Sequence, residues 1–134
     1  MKPEANPPTR VLLVEDHDLM RKALRTLLEA EGRFAIVGEA ADAAAALQLA
    51  ADTAPELAIM DISLKGPMNG LELTAHLKFR HPSLKVLVLS LYAAAEWAER
   101  ARDAGADGYL SKVDAAAFIP TALAAIRRGG HYGF

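Results

Sequence analysis

The chain predicts an α/β fold, a doubly wound sheet of five parallel strands with five helices, and two observations carry that reading. Short apolar runs alternate with stretches of helical periodicity: VLLV at 11–14, FAIV at 34–37, LAIM at 57–60, VLVL at 86–89 and GYL at 108–110. Such alternation builds strand–helix units of a parallel sheet. Polar residues able to do chemistry also stand directly after these runs, where open parallel sheets hold their ligands.

Each helix has its own signal. Met20, Ala23, Leu24, Leu27 and Leu28 fall at i, i+3, i+4, i+7 and i+8, one apolar stripe, and Gly32 ends that helix. Asp42 is a good N-cap for a second, alanine-rich helix, in which Leu47 and its neighbouring alanines suit close packing on a sheet. A third covers about Gly70 to Arg80 and stops before Pro82, and a fourth about Ala93 to Ala104. Proline in a helix interior costs about 3 kcal/mol or more, so Pro120 is expected in a first turn, with the last helix at about Phe118 to Arg128. Ile119, Leu123 and Ile126 then face the sheet, and Gly129 and Gly130 close the helix.

At 134 residues the chain fits one domain with a single substantial core. The expected division is a disordered lead-in at 1–9, the domain at 10–130, and the start of a linker or tail at 131–134. With 52% hydrophobic and 24% charged residues the composition is that of a chain that folds unaided. A net charge of −2 lacks the positive excess of nucleic-acid binders, so this segment alone is not expected to bind DNA. No apolar run approaches the roughly 18 residues of a membrane span, and the N-terminus has no apolar signal core. The absence of cysteine rules out disulfides and thiolate sites and fits a cytoplasmic setting.

Glu15 and Asp16 follow the first apolar run, Asp61 the third, Ser90 the fourth, and Lys112 lies just past the fifth. Singly, each has a plain explanation as a cap, turn or small loop residue. Together they bring three carboxylates into one crevice, where repulsion is costly unless a cation sits among them. With no histidine or cysteine at these positions, an oxygen-seeking ion is expected: magnesium, with manganese able to replace it. Lys112 and Ser90 opposite the acids complete a phosphoryl-transfer set, in which positioning and charge neutralisation do most of the work. Asp61, central among the strands, is placed as the nucleophile of an acyl-phosphate mechanism, and Glu15 and Asp16 as metal ligands.

In order and spacing, VLLVEDHD, LAIMDISL, VLVLS and GYLSK resemble the receiver domain of two-component response regulators, over nearly the whole chain. The resemblance implies the flavodoxin-like strand order 2-1-3-4-5. By it, Glu15 and Asp16 match the acidic pair, Asp61 the phosphoacceptor, Ser90 the switch hydroxyl, Tyr109 the switch aromatic and Lys112 the family lysine. Ser63 would lend its backbone carbonyl to the metal. The implied partners are a histidine kinase or histidine phosphotransfer protein and a second copy, the latter through the face of the fourth helix, fifth strand and fifth helix. The implied chemistry is limited to the domain's own aspartyl phosphorylation and dephosphorylation. EDHDLMRKAL and RRGGHY further resemble regulators that carry a LuxR-type helix-turn-helix output. The sequence stops at Phe134, about where a linker to such an output would begin, so transcription regulation through an output domain and a stand-alone receiver both stay open.

Two departures stand out. The span from Asp61 to Gly70 is one residue longer than usual in that family, with Gly66 and Pro67 in place of a single proline. Val113 follows Lys112 where many receivers have a cis proline; a cis bond is nonetheless expected there, although without proline it costs roughly 2.5–4 kcal/mol. Trp97 is expected to be exposed or partner-facing. His17, His76, His81 and His131 show no paired metal spacing and are expected to be solvated, with tuning of the acidic site the lesser alternative for His17. Other classes fit less well. VEDHD puts negative charge where a flavin phosphate would sit. A dehalogenase-type phosphatase carries its nucleophile after the first strand with a second aspartate two residues on, whereas Asp61 ends the third strand and position 63 is serine. A degenerate receiver that only binds partners is disfavoured by retention of the full polar set.

Overall fold

The computed structural model describes residues 7–91 and 95–134. The elements are β1 (Thr9–Val14), α1 (Asp18–Glu31), β2 (Phe34–Ala40), α2 (Ala43–Thr53), β3 (Leu57–Asp61), α3 (Gly70–Arg80), β4 (Lys85–Ser90), α4 (Ala95–Asp103), β5 (Gly108–Ser111) and α5 (Ala115–Arg127). All strand pairs are parallel, in the order β2-β1-β3-β4-β5. That is the flavodoxin-like order the family resemblance implies.

The strands are apolar on both sides because both faces are covered, as parallel sheets require. Leu12, Val14, Ala58, Met60, Val86 and Val88 pack with α2, α3 and α4, while Val11, Leu13, Leu57, Ile59, Leu87 and Leu89 pack with α1 and α5. The two sets alternate along each strand, the period-2 signature of a pleated chain. Every strand's C-terminal end therefore lies along one edge, and the site forms there.

Local sequence sets most helix ends. Gly32 closes α1 at φ 72, and Asp42 caps α2 by accepting from the Ala45 N–H at 2.8 Å. Asn69 and Glu72 form a capping box at α3, a signal the sequence reading passed over. The apolar stripe of α1 is narrower than expected: Leu24 and Leu28 are buried, whereas Ala23 is exposed.

Three expectations are corrected. The last helix begins at Ala115, leaving Pro120 inside it. The turn that lacks the proline N–H lies on the open side, where Ala116 is exposed and water can take the freed carbonyl. Ile119, Leu123 and Ile126 are fully buried, and at about 1.5–3 kcal/mol each their burial exceeds the proline cost. No peptide bond among the described residues is cis, so Lys112–Val113 is trans, as the energy of a non-proline bond favours. Thr9, placed in the lead-in, is buried and opens β1 through its N–H to the Arg33 carbonyl at 2.8 Å. Residues 1–6 of that lead-in, and Ala93 at the start of the expected fourth helix, lie outside the described residues.

The C-terminal residues are part of the fold. Tyr132 donates to the Asp107 carbonyl and accepts from the Tyr109 N–H, forming a parallel bridge to Gly108 at the sheet edge. Gly133 follows with φ 82, and a Cβ there would stand 2.0 Å from the Tyr109 carbonyl oxygen.

Candidate functional site

Glu15 and Asp16 occupy the turn between β1 and α1. The Glu15 N–H donates to the Ala40 carbonyl at 3.0 Å, and Arg21 Nη1 donates to the Glu15 carbonyl at 2.7 Å, so the turn is fixed from both sides. Arg21 is held in turn by Asp18 at 2.7 Å and Glu39 at 3.3 Å. Asp61 is the last residue of β3, and Ile62 continues the pairing to Leu89 at 3.0 Å. The start of α3 presses on this point. A Cβ on Gly70 would lie 2.0 Å from the Asp61 carbonyl oxygen, so only glycine allows that approach. The Lys112 N–H donates to the Ser90 carbonyl at 2.7 Å, which ties the loop after β5 to the end of β4.

These elements bring Glu15, Asp16, Asp61, Ser90 and Lys112 to the C-terminal edge of the sheet, and the carboxylates and the lysine meet. Lys112 Nζ lies 2.8 Å from Glu15 Oε1 and 3.1 Å from Asp61 Oδ1. The Glu15 contact is an ion pair without hydrogen-bond alignment, leaving Oε1 with no formal bond. Asp61 Oδ1 also accepts from the Ser63 N–H at 2.9 Å. Asp61 Oδ2 and both Asp16 oxygens are buried without a hydrogen-bond partner. Glu15 and Asp61 are each 1% exposed. Buried carboxylate oxygens without donors are costly, and a hard cation is what their chemistry suits.

The titration behaviour follows from this packing. Burial, and then the Glu15 carboxyl beside it, hold Asp61 above its ordinary value. Burial pushes Glu15 up as well, but the Lys112 ammonium, Asp61 and the His17 N–H together outweigh it and leave Glu15 below its ordinary value. Lys112 loses solvation too, yet its contacts with Glu15 and Asp61 raise it above the usual lysine range.

The His17 ring is exposed, as expected, and its Nδ1 lies 3.3 Å from Glu15 Oε2 and 3.2 Å from Asp16 Oδ1, beside the acidic site that was its lesser alternative. Helix-face spacing could not reveal this, because His17 stands in the turn before α1. Adjacency to the acidic pair was the available signal. Ser63 is exposed in the loop after β3, and Ser90 is fully buried at the end of β4. Tyr109 is 7% exposed, its ring already packed on the side of α4. Trp97, expected to be exposed or partner-facing, is half-buried against that same core and stacks on Arg100, whose guanidinium carbon lies 4.7 Å from the ring centroid.

The model of the response regulator receiver domain family matches residues 11–123, which hold all five polar positions. This chain belongs to that family. Among relatives of the receiver, the transcriptional regulatory protein DegU of Brevibacillus brevis is 34% identical over 124 residues, 92% of this chain and 52% of DegU. LiaR of Bacillus subtilis, also a transcriptional regulatory protein, is 33% identical over 120 residues, 90% of this chain and 56% of LiaR. The receiver thus spans about half the length of the curated relatives it matches. A LuxR-family two-component response regulator from Aurantimonas superposes with a TM-score of 0.89 at 34% identity, covering 94% of this chain and 89% of that one. The isolated receiver domain of RcsB from Salmonella enterica, solved with a beryllofluoride phosphomimetic, gives 0.86 at 26% identity and 94% of each chain. No helix among the described residues is long and apolar enough to cross a membrane.

Proposed function

We propose that this receiver takes a phosphoryl group on Asp61 from the phosphohistidine of a histidine kinase or histidine phosphotransfer protein, and that the acyl phosphate alters a partner-binding face. The observation that carries the reading is Asp61 Oδ2, a buried oxygen without a hydrogen-bond partner in an acidic cluster, on a carboxylate whose other oxygen is 3.1 Å from Lys112. Oδ2 attacks phosphorus while the P–N bond breaks, and the imidazole nitrogen leaves with that electron pair. Lys112 neutralises one phosphoryl oxygen and the Ser90 hydroxyl donates to another. Glu15, Asp16, Asp61 and the Ser63 carbonyl would hold Mg2+, with Mn2+ able to replace it. Bound there, the ion offsets charge on the phosphoryl oxygens. The domain catalyses only its own phosphorylation and dephosphorylation.

Tyr109 is the link to the partner face. Its ring lines a cleft of about 480 Å³ with Ala95, Ala98, Arg102 and Phe134, so movement of Ser90 toward the phosphate is felt on the side of α4. The face of α4, β5 and α5 then docks a second copy or an output domain, and transcription regulation through such an output is the expected consequence in the cytoplasm. The unit that does this starts at β1 with Thr9 and includes Tyr132, which bridges to Gly108 at the edge of the sheet. With acetyl phosphate and magnesium, the chain is expected to gain one base-labile phosphoryl mass by mass spectrometry, and Asp61→Asn to gain none. A wild-type chain that stays unmodified overturns the reading.

A further inference from the structure

Glu15 and Asp61 each turn one oxygen to Lys112, and the other oxygens face away from it. Glu15 Oε1 and Asp61 Oδ1 take the ammonium, while Glu15 Oε2 meets the backbone N–H of His17 at 3.2 Å and its ring Nδ1 at 3.3 Å. Asp61 Oδ2 and both Asp16 oxygens have no hydrogen-bond partner. One donor atom from each of Glu15, Asp16, His17 and Asp61 lies within 4.8 Å of the others. At metal–ligand distances of about 2.0–2.2 Å, neighbouring donors of an octahedral ion stand about 3 Å apart. The separations of 3.3 and 3.2 Å from Nδ1 to Glu15 and Asp16 are close to that edge. The imidazole also forms part of the rim of an open cleft of about 460 Å³ with Leu19, Met20, Leu91, Lys112 and Val113, so a metal ion has access from solvent.

We propose that His17 is a further donor of this metal site, giving it three carboxylates, the Ser63 carbonyl and one imidazole, and that the site therefore takes a borderline first-row ion such as Mn2+ more tightly than Mg2+. The proposal rests on the reading of the acidic cluster as a metal site and adds selectivity to it. Nitrogen donors favour first-row transition ions, whereas Mg2+ prefers oxygen and keeps its waters. Ligation needs the Nδ1 lone pair, so a bound ion replaces the Nδ1 contact with Glu15 Oε2. His17 is the N-cap residue of α1 but its side chain makes no capping bond, and its Nδ1 turns instead to Glu15 and Asp16.

The test is calorimetric titration of Mn2+ and of Mg2+ into the unphosphorylated chain, with His17→Ala and Asp16→Asn as variants and electron spin-echo spectroscopy of the Mn2+ complex. Wild type is expected to bind Mn2+ about tenfold or more tighter than Mg2+ and to show nitrogen coupling to Mn2+. His17→Ala is expected to lose that coupling and about tenfold in Mn2+ affinity, with Mg2+ affinity changed less than about twofold, which also reports a folded site. Asp16→Asn should weaken both ions. Absent nitrogen coupling, or equal losses for the two ions in His17→Ala, overturns the role of His17 while leaving the acidic site standing if Asp16→Asn still weakens binding. A wild type that binds neither ion overturns the metal site itself.

Discussion

Asp61 is 1% exposed, and its carboxylate shares a buried crevice with Glu15 and Asp16. In the metal-free protein this arrangement costs stability at neutral pH, because Asp61 titrates above its ordinary value. A raised carboxylate favours unfolding while it is charged, and the penalty fades as pH falls through the raised value. Glu15, lowered, has the opposite sign: its contribution is present above the ordinary carboxylate value and is lost as pH falls through the lowered one. Asp61→Asn is therefore expected to stabilise the metal-free protein at pH 7 by on the order of 1 kcal/mol. The difference from wild type should shrink as pH falls through the raised value and disappear well below about pH 4, where Asp61 is protonated in both folded and unfolded chains. Urea denaturation with a chelator across pH checks this, and a variant no more stable than wild type at neutral pH contradicts it. Lys112, raised by the same contacts, contributes stability throughout the neutral range and loses it only as pH rises through its folded value.

Among the elements, α3 is the one whose placement the site depends on most directly. Its capping box fixes where the helix starts, and the Gly70 N–H donates to the Ile62 carbonyl at 3.1 Å, clamping the helix onto the end of β3. The loop with Gly66 and Pro67 takes up its extra residue in exposed positions, Gly66 at φ 107. Gly70→Ala would bring a methyl carbon to 2.0 Å from the Asp61 carbonyl oxygen and 2.8 Å from Ile62 Cα, both backbone atoms that cannot swing aside. The expected outcome is a loss of about 1–3 kcal/mol in denaturation, as for other overpacked sites, together with slower phosphorylation by acetyl phosphate. Unchanged stability and rate would show that α3 is free to move away from β3. At the opposite end of the sheet, Lys78 joins the Asp107 carboxylate at 3.0 Å and the Leu84 carbonyl at 2.7 Å, and Asp107 also accepts from the Val86 N–H. Those contacts tie α3 to β4 and β5 away from the chemistry.

In the whole molecule, Lys112 stands between Asp61, 3.1 Å from its Nζ, and the end of β4 beside β5. The Lys112 N–H is bonded to the Ser90 carbonyl, Tyr109 packs beside α4, and the Tyr109 N–H holds Tyr132. The tail and the cleft beside α4 thus share one residue of β5, so a shift of Tyr109 must be felt by both. Tyr109 is already only 7% exposed. Beryllofluoride with magnesium is expected to move amide signals along α4, β5 and α5 and to raise the dimer fraction. Ser90→Ala and Tyr109→Ala should blunt both responses without preventing phosphorylation. If the mimic binds at Asp61 while this face stays silent in NMR and sedimentation, the chain stores phosphate without signalling.

The amino-acid sequence by itself determined the five strands, most helix ends and the polar set at the strand ends. These depend on local or periodic physics: apolar runs need burial on both faces, Gly32 and Asp42 act within one turn, and residues just past parallel strands share one edge. Only the tertiary structure decided the rest. Pro120 lies inside α5 because burial of Ile119, Leu123 and Ile126 outweighs a local penalty. Tyr132 and Gly133 join the sheet edge because the open N–H and C=O groups of β5 offer partners that residue type alone does not announce. His17 reaches Glu15 and Asp16 because the turn into α1 folds its ring back over the acids, and a turn's path is set by the anchors at Ala40 and Arg21. Sequence names the donors one strand at a time; which of their atoms point at each other depends on contacts between segments far apart in the chain.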